Sequence, residues 1–401
     1  MADQELDAFP FPLQPDEFGT SFRQHQRRRA ECPLGEVALP SGDAAHLVVA
    51  YEDVARVLRD RRFSRNLRYP GAPRMVREAD MNDNPDAIIN HDPPEHGRFR
   101  QVIQGAFSPS REARWRPIVQ GIVDGLLDQV AAAGPPSDLV ADFAGVLPIS
   151  VMCALVGVPA TDWQLFHDWT AVFFAVDPAA LEERLRANRE FLAYIRAFLE
   201  QRRKEPGEDL VDLLVAARDT DGKLSEGELV QLVSALLIGG QENTASSLAR
   251  GVLALLRFPD QWAALCAEPG LTGPAVEEVL RFEVPSEGAF LRVTTEEVAL
   301  SAGAVAAGRA VQVSVPAANR DPGVFPDPER FDIHRTANPH LTFGLGAHFC
   351  PGAPLARLEL ALALRGLADR FPGLRPAIAP DEVRYGEGNL IHPLLSLPVT
   401  W

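Results

Sequence analysis

One proline-free stretch, from Ser225 to Leu256, most constrains the fold of this 401-residue chain. Ser225 and Glu228 have the spacing of a capping box, in which a serine and a glutamate bind the first free backbone N–H groups of a helix. Apolar residues then recur at helical spacing as far as Leu255. At roughly 1.5 Å per residue, such a helix would be about 45 Å long. The sequence therefore predicts a central helix that crosses the whole of a large molecule.

The middle of this segment reads Ile238-Gly-Gly-Gln-Glu-Asn-Thr244. Two adjacent glycines in a helix interior cost roughly 1 kcal/mol each relative to alanine, so another interaction must offset them. One interpretation is close helix packing on Gly239 and Gly240, with Glu242 in solvent. The other is that the glycines leave room for a ligand, beside which Glu242 and the two polar residues after it relay protons.

A second motif places one cysteine in a glycine-containing loop. Residues 343–352 read Phe-Gly-Leu-Gly-Ala-His-Phe-Cys-Pro-Gly, and a helical pattern follows from Pro354. Gly344 and Gly346 permit backbone angles that other residues avoid, so the loop can lie flat against a large group. A helix start close to the sulfur of Cys350 would favour its anionic form. We interpret Cys350 as a metal thiolate; the alternative is a small apolar side chain in a buried turn.

Composition excludes several classes of protein. A net charge of −16 argues against nucleic acid or an anionic membrane as a partner. The sequence has no apolar window of membrane-spanning length and begins with acidic residues, so we expect a soluble, cytoplasmic protein. The four cysteines are widely scattered, which argues against disulfides and a zinc cluster and favours a single functional thiolate.

The residue patterns predict a mostly α protein with small β-sheets, of the α+β class. Residues 1–94 mix strands and helices, with a hairpin at 35–49 and a helix at 51–60. Residues 95–282 are mainly helical, with roughly seven helices up to Leu256, and 283–401 are again mixed. No linker interrupts the evenly spread apolar residues, so we expect one domain over residues 1–401. Residues 68–94 show no lasting period, and a loop of that length is usually functional or mobile.

Four motifs together resemble the cytochrome P450 family of haem-thiolate monooxygenases, over nearly the whole chain. Residues 343–352 resemble the family's cysteine loop, which implies Cys350 as the axial ligand of haem iron. Residues 238–244 resemble the oxygen-binding groove of its long helix, and Glu278-Val-Leu-Arg281 resembles its Glu-x-x-Arg helix. Residues 91–100 resemble the helix that holds the haem propionates. The implied fold is a triangular helical prism with a long central helix that crosses over haem.

The resemblance also implies roles for individual residues. His96 and Arg100, which share a helix face because they are four residues apart, would bind the propionates together with Arg292 and His348. The resemblance further assigns to the haem site Phe343, Gly344 and Gly352, to the oxygen groove Gly240, Glu242, Asn243 and Thr244, and to a structural ion-pair cluster Glu278, Arg281 and Arg330.

Asn243 departs from the family pattern, in which threonine directly follows the acid. Here Thr244 comes one position later, about 100° farther round the helix, so it does not simply inherit the role. An asparagine amide can hold water or oxygen but has no acidic proton to give. We expect hydroxylation of a small, largely apolar substrate. A peroxide-driven, oxidative-coupling or ring-forming enzyme stays open, as does a haem-binding sensor or electron carrier.

The resemblance implies partners as well, because the chain has no flavin or nicotinamide domain. Electrons from NAD(P)H would arrive through a separate ferredoxin and its reductase. The net negative charge would repel an acidic partner, so we expect a local cluster of arginines on the cysteine side, with Arg357, Arg111 and Arg114 as candidates. By analogy with soluble members of the family, we expect a monomer that acts in bacterial secondary metabolism. The residues expected to line the substrate pocket are Phe173, Phe174, Gly239 and Phe290.

Overall fold

A computed structural model describes residue 11 and residues 22–401, apart from 79–80, 108 and 287–290. Its helices are α1 (Phe22–Glu31), α2 (Tyr51–Arg59), α3 (Glu95–Ala106), α4 (Pro109–Ala133), α5 (Val146–Val156), α6 (Trp163–Ala171), α7 (Leu181–Lys204), α8 (Leu210–Asp219), α9 (Glu226–Arg257), α10 (Pro259–Ala267), α11 (Thr272–Phe282), α12 (Val315–Ala318) and α13 (Ala353–Arg370). Its strands are β1 (Glu36–Ala38), β2 (Ala44–Val48), β3 (Phe63–Ser64), β4 (Ser137–Asp138), β5 (Arg292–Thr294), β6 (Val298–Leu300), β7 (Gly303–Val305), β8 (Ala310–Val313), β9 (Arg375–Pro376) and β10 (Pro398–Thr400).

The predicted central helix is confirmed as α9, which has 32 residues and is about 48 Å long. Its capping box is formed: the N–H of Glu228 donates to Oγ of Ser225 at 3.1 Å, and the N–H of Ser225 donates to Oε2 of Glu228 at 2.7 Å. Arg98 of α3 also donates to Oε2 of Glu228, at 2.9 Å. The start of α9 is thereby tied to the helix that carries His96 and Arg100.

The helical part of the chain also follows the sequence pattern. Seven α-helices, α3 to α9, occupy the described residues from Glu95 to Arg257. The helix ends fall at proline and glycine, since α4 ends before Gly134-Pro-Pro and α7 ends before Glu205-Pro-Gly. The second half of α5 has apolar residues on all sides and is largely buried, as expected for a helix enclosed by others.

Three small sheets account for the strands. The largest has the order β1-β2-β8-β5-β3, in which only β2 and β8 run parallel. β1 and β2 form the predicted hairpin, with Ala38 opposite Ala44. β4, β10 and β9 form a second sheet, and β6 and β7 form a third. The strands therefore lie outside the helical part, apart from the two-residue β4.

The main apolar core lies among α4, α5, α7, α9 and α13, and two smaller cores contain residues of the five-stranded sheet. α9 lies in the main core, where the residues from Ser246 to Leu256 are all buried. Among the described residues, no helix is both long enough and apolar enough to cross a membrane. The second half of α9 is thus enclosed by other helices, while the loop before α13 lies against the end of α2.

Candidate functional site

The loop that carries Cys350 is held by its own backbone. The N–H of Cys350 donates to the carbonyl of Phe343 at 2.9 Å, and the N–H of Phe349 donates to Gly346 at 3.1 Å. Gly344 and Gly346 have φ values of 70° and 72°, in the left-handed region that favours glycine. A Cβ atom on Gly346 would lie 2.9 Å from the carbonyl oxygen of Leu58. Gly346 is therefore also required because the end of α2 packs directly against the loop.

The sulfur of Cys350 lies just before α13, as the sequence predicts. Burial raises the pKa of the Cys350 thiol, and the N–H groups of Gly352 and Ala353, together with Arg100, partly offset that effect. The expectation that the helix start would favour the anion is thus outweighed by burial of the thiol. Gly352 leaves room beside the sulfur, since a Cβ there would lie 3.9 Å from Sγ. The ring of Phe343 lies under the guanidinium of Arg357, with 4.5 Å from Cζ to the ring centroid.

Four basic side chains from separate parts of the sequence meet next to this loop. His96 on α3 is buried, and its ring centroid lies 4.2 Å from that of His348 in the cysteine loop. Arg100, one turn after His96, is close enough to affect both His96 and Cys350 electrostatically. Arg292 at the start of β5 is buried and acts on His348. The structure thus brings together the residues that the sequence assigned to the propionates.

The pKa values of these groups show the cost of placing them together. Burial and the charge of Arg100 lower the pKa of His96 to about 4. Burial lowers the pKa of His348 to about 2, and the nearby charges of His96 and Arg292 add to that effect. Burial lowers the pKa of Arg292 to about 10. Buried groups of one sign disfavour one another unless an anion shares the site.

Two residues that support this cluster were missed in the sequence. Arg65 is buried and donates to the carbonyl of Ile89 and the side chain of Asn82, both at 3.0 Å, and its charge also acts on His348. Asp92 accepts a hydrogen bond from the N–H of Arg65 at 3.0 Å. Its charge acts to raise the pKa of His96 and so partly opposes burial and Arg100, which lower it. Neither has a spacing that would have distinguished it from ordinary charged residues of a loop.

The two adjacent glycines of α9 have different surroundings. A Cβ on Gly240 would lie 2.7 Å from the sulfur of Met152 in α5, so Gly240 allows two helices to pack closely. A Cβ on Gly239 would meet nothing within 4 Å, and Gly239 is exposed although the residues before it are buried. Close helix packing, one of the two interpretations, therefore applies to Gly240, whereas Gly239 borders open space. A part of Gly240 in an oxygen groove stays a prediction.

An open face of α9 passes through Gly239. Ala235, Gly239 and Asn243 are each four residues apart, so they lie on one side of the helix, and all three are at least partly exposed. Thr244 lies about 100° away from Asn243 and is 7% exposed. The structure thus places Asn243 on the open face and turns Thr244 into the protein.

Glu242 lies one residue before Asn243 and is half-buried. Burial raises the pKa of its carboxyl, and within the described chain no cation is close enough to offset that effect. A carboxyl with a raised pKa keeps its proton to a higher pH than a glutamate in water, so it can donate one.

The Glu-x-x-Arg pair is formed, but its third member is not the predicted one. Glu278 and Arg281 are both fully buried and joined by two hydrogen bonds of 2.7 and 2.8 Å. Arg281 also donates to the carbonyl oxygen of Arg330 at 3.1 Å. The side chain of Arg330 is 65% exposed, whereas Nε of Arg335 lies 3.3 Å from Oε2 of Glu278. The assignment of Arg330 was wrong: its backbone takes part, and Arg335 supplies the charge.

The predicted pocket aromatics lie at the end of α6. Phe173 packs among Trp169, Phe191 and Ile238, next to the open face of α9. The carbonyl of Phe174 accepts a hydrogen bond from the N–H of Leu390 at 3.1 Å. Phe290 lies outside the described residues.

A hairpin near the C-terminus, residues 384–395, was not singled out in the sequence. We call it the C-terminal hairpin. Its base is joined by hydrogen bonds between Gly386 and Pro393 and between Leu395 and Arg384. The N–H of His392 donates to the carbonyl of Pro285 at 2.8 Å, which ties the hairpin to the segment before β5. Its composition gave no strong strand pattern by which to find it.

Comparison with known proteins decides the family. The cytochrome P450 family model matches residues 154–269 and 270–372. The chain is 46% identical to nocardicin C N-oxygenase of Nocardia uniformis subsp. tsuyamanensis, over 93% of this chain and 94% of that protein. The chain belongs to the cytochrome P450 family. It is a haem-thiolate monooxygenase, as the sequence predicted.

Further P450s support both the function and the fold. The mycinamicin IV hydroxylase/epoxidase of Micromonospora griseorubida is 42% identical, over 92% of each chain. The crystal structure of the LnmA P450 hydroxylase, from the leinamycin biosynthetic pathway of Streptomyces atroolivaceus S-140, superposes with a TM-score of 0.89 at 39% identity, over 98% of this chain and all of that one. The predicted P450 fold, mostly α with small β-sheets and a long central helix, is therefore confirmed.

The residues of this chain fit haem, the cofactor of the family. We call His96, Arg100, Arg292 and His348 the basic cluster. Within it, Nε2 of His348 is buried and has no hydrogen-bond partner among the described residues. Haem carries two carboxylates, which are the anions that such a cluster would stabilise. The open face of α9 at Gly239 and the half-buried Cys350 complete a set of residues suited to a flat metal complex.

Proposed function

We propose that Cys350 is the axial ligand of haem iron and that His96, Arg100, Arg292 and His348 hold the haem carboxylates. The observation that carries this proposal is the convergence of these four buried or half-buried basic side chains beside the cysteine loop. Phe343, Gly344 and Gly352 would shape the loop around the sulfur. When bound, haem supplies the binding and reductive activation of dioxygen, which an electron-donating thiolate favours.

Replacement of the sulfur tests this proposal. Cys350→Ser should abolish the red-shifted carbon monoxide band of the reduced protein, because that band depends on thiolate ligation. Cys266→Ser, a change of another partly exposed cysteine, is the matched control and should keep the band. An unchanged band in Cys350→Ser would remove the central assignment.

We propose that Glu242 and Asn243 deliver protons on the open face of α9. Glu242 keeps a proton because burial raises its pKa, and the amide of Asn243 both donates and accepts hydrogen bonds, so it can hold a water molecule in line. Thr244 is turned away and needs no role. Asn243→Thr should release less hydrogen peroxide per NADH oxidised if the missing hydroxyl limits coupling; an unchanged ratio would show that Glu242 and water suffice.

We propose that the substrate is a small organic molecule of bacterial secondary metabolism. The relatives are named as an N-oxygenase and a hydroxylase/epoxidase, so nitrogen and carbon are both candidate sites of oxidation. Gly239 lies on the open face of α9, and Phe173 lines a cavity with the neighbouring Ile238. The C-terminal hairpin is hydrogen-bonded to Phe174 and Val176. A screen for compounds that shift the haem absorption band on binding would identify the substrate class; a library of such metabolites without any hit would contradict the proposal.

We propose that a monomer of this P450 receives electrons from an acidic ferredoxin at the end of α2. Two of the three candidates named in the sequence analysis already have partners, since Arg357 is ion-paired with Glu277 at 2.7 Å and Arg114 lies 3.4 Å from Glu208, whereas Arg111 stays a candidate. Four other arginines flank Asp60, and we call them the α2 patch: Arg56, Arg59, Arg61 and Arg62.

The α2 patch adjoins the cysteine loop. Cα of Arg59 would lie 3.2 Å from a Cβ on Gly346, so the backbone of α2 touches the loop. Phe349, next to Cys350, is 37% exposed and gives the same surface an apolar element. A positive patch with an apolar centre, on a chain of net charge −16, fits an acidic partner.

A further inference from the structure

Three segments that are far apart in sequence meet just after the end of α6. The N–H of Val176 donates to the carbonyl of Gly388 at 2.9 Å, and the N–H of Leu390 donates to that of Phe174 at 3.1 Å. The third segment is the loop that contains Glu78. We call this meeting point the roof junction; it consists of Glu78, residues 174–176 and residues 388–390.

One side chain connects the loop of Glu78 to the rest of the roof junction. Nη1 of Arg184 donates to the carbonyl of Ala175 at 2.8 Å, and Nη2 donates to the carbonyl of Glu78 at the same distance. Ala175 is paired with Asn389 of the C-terminal hairpin. Arg184 therefore joins the loop of Glu78 to residues 174–176, and through Ala175 it reaches residues 388–390.

The chemistry of Arg184 suits this position. Within the described chain no carboxylate lies within 4.0 Å of its guanidinium, and its buried Nε has no hydrogen-bond partner there. Its charge is therefore directed at two carbonyl oxygens, and hydrogen bonds from a charged donor are stronger than neutral ones. The planar fork of a guanidinium can hold both oxygens at once, whereas one lysine ammonium would lack that geometry.

The helix that carries Arg184 is fastened more firmly than the loop that Arg184 holds. Rings of α6 and α7 meet edge-to-face with centroids 5.1 to 5.8 Å apart, which fastens the two helices to each other. By contrast, every side chain from Val172 to Ala180 is at least partly exposed, and the loop is otherwise held to the C-terminal hairpin by the backbone hydrogen bonds of Phe174 and Val176. Loss of the Arg184 hydrogen bonds would loosen the connecting loop without loosening the helices.

The roof junction adjoins Phe173, a residue that we expect to line the substrate pocket. Phe173 lines a cavity together with Ile238, the residue before Gly239. Leu390 packs against the same apolar cluster as Leu291, which precedes Arg292. Through Phe173 and Leu390, the junction therefore adjoins both the cavity at Ile238 and the apolar cluster next to Arg292.

We propose that Arg184 is a positioning residue that closes the substrate pocket and sets the rate at which ligands exchange. This inference rests on the proposed haem site, because only a haem held between Cys350 and α9 makes the space beneath the junction a substrate pocket. Arg184 touches neither the cysteine loop nor the basic cluster, so its replacement leaves the haem-binding residues in place.

Arg184→Met tests the proposal, because methionine keeps the apolar stem and removes both hydrogen bonds. The matched control is Arg186→Met on the same helix, where the arginine pairs only with Glu183 and Glu190 of α7. In the haem-loaded enzyme, phenylimidazole should associate with and dissociate from the haem iron roughly tenfold faster in Arg184→Met than in the control. Carbon monoxide, which is far smaller, should rebind to the reduced variants at similar rates.

Amide hydrogen exchange provides a second readout, which does not depend on a haem ligand. The amides of Val176 and Leu390 should exchange faster in Arg184→Met than in Arg186→Met, and Arg184→Lys should fall between wild type and Arg184→Met. Equal exchange and equal phenylimidazole rates in Arg184→Met and the control would overturn the proposal. If phenylimidazole failed to shift the spectrum of the wild type, the haem assignment itself would be wrong, while exchange would still show whether Arg184 holds the junction.

Discussion

Glu242 shows how one side chain can be prepared for chemistry by its surroundings. Its carboxyl is taken out of water without a positive partner among the described residues, so burial alone raises its pKa. The charged form is then disfavoured in the folded protein but not in the unfolded chain. This difference links the proton on Glu242 to the stability of the fold.

The sign of that linkage gives a prediction. Because the pKa of Glu242 is higher in the folded state, its favourable contribution is complete below about pH 4, the ordinary range for glutamate, and is lost as the pH rises through the raised pKa. The unfolding free energy of the Glu242→Gln variant should therefore rise relative to that of the wild type as the pH is raised from 4 to 8. Urea unfolding across this range measures it. Glu200→Gln, at an exposed position of α7, is the control; a parallel trend there would contradict the assignment.

Arg335 gives a second prediction at the scale of one residue. Arg335→Ala removes a charged partner from the fully buried Glu278, while Arg281 still neutralises that carboxylate. We expect a loss of about 1–3 kcal/mol in unfolding free energy, less than the roughly 3–5 kcal/mol for breaking a buried ion pair outright, because Arg281 remains as a partner. Arg330→Ala, whose side chain is exposed, should change it by less than about 0.5 kcal/mol. Equal losses in the two variants would restore the assignment of Arg330.

The two arginines also show what residue spacing can and cannot predict. Glu278 and Arg281 are one helical turn apart, so their contact follows from the sequence. Arg330 and Arg335 both lie in an irregular segment, where spacing does not determine which side chain turns inward. Arg184 was missed for a related reason: its partners are backbone carbonyls, which any residue supplies.

Helix α9 was the most predictable element of the molecule. Its start and length follow from a capping box, a long apolar period and the absence of proline, all of which are local. The reason for each glycine was not predictable, because it depends on which neighbouring helix approaches. Gly240 faces Met152, whereas Gly239 faces open space. The C-terminal hairpin is the opposite case, since its pairing depends on segments more than a hundred residues away.

Another glycine of α9 provides a prediction about how elements pack. A Cβ on Gly251 would lie 2.4 Å from Cγ1 of Val279 in α11, and a β-branched valine has few other rotamers. Gly251→Ala should therefore lower the unfolding free energy by about 1 kcal/mol. Overpacking costs about 1–3 kcal/mol, and the higher helix propensity of alanine offsets roughly 1 kcal/mol of that cost. Gly121→Ala in α4, where a Cβ meets nothing within 4 Å, should instead be stabilising.

The double variant Gly251→Ala with Val279→Ala separates the clash from other effects. If the two side chains compete for one space, the double variant should be more stable than the sum of the single changes predicts. Additive losses would mean that the helices adjust elsewhere and that Gly251 does not determine the distance between α9 and α11.

At the scale of the whole molecule, charge is unevenly distributed. The chain has a net charge of −16, yet residues 56–62 contain four arginines and one aspartate beside the cysteine loop. Asp60 is paired with Arg62 and lies 3.8 Å from Arg56, which leaves Arg59 and Arg61 as exposed cations of the α2 patch. A partner of negative charge would be repelled by the net charge of the chain and attracted at the α2 patch.

The last prediction follows from this contrast. Arg59→Glu should slow reduction of the haem iron by an acidic [2Fe–2S] ferredoxin about tenfold at low ionic strength, because it reverses a charge where the partner would dock. The rate is measured by stopped-flow under carbon monoxide, and the difference from wild type should shrink as salt rises. Arg186→Glu changes the net charge equally at a 57% exposed site on α7 and should have little effect. Equal slowing by both variants would mean that net charge, and not the α2 patch, governs the encounter. Slowing by Arg59→Glu alone, with an unchanged rate of reduction by dithionite, would locate electron transfer at the cysteine loop.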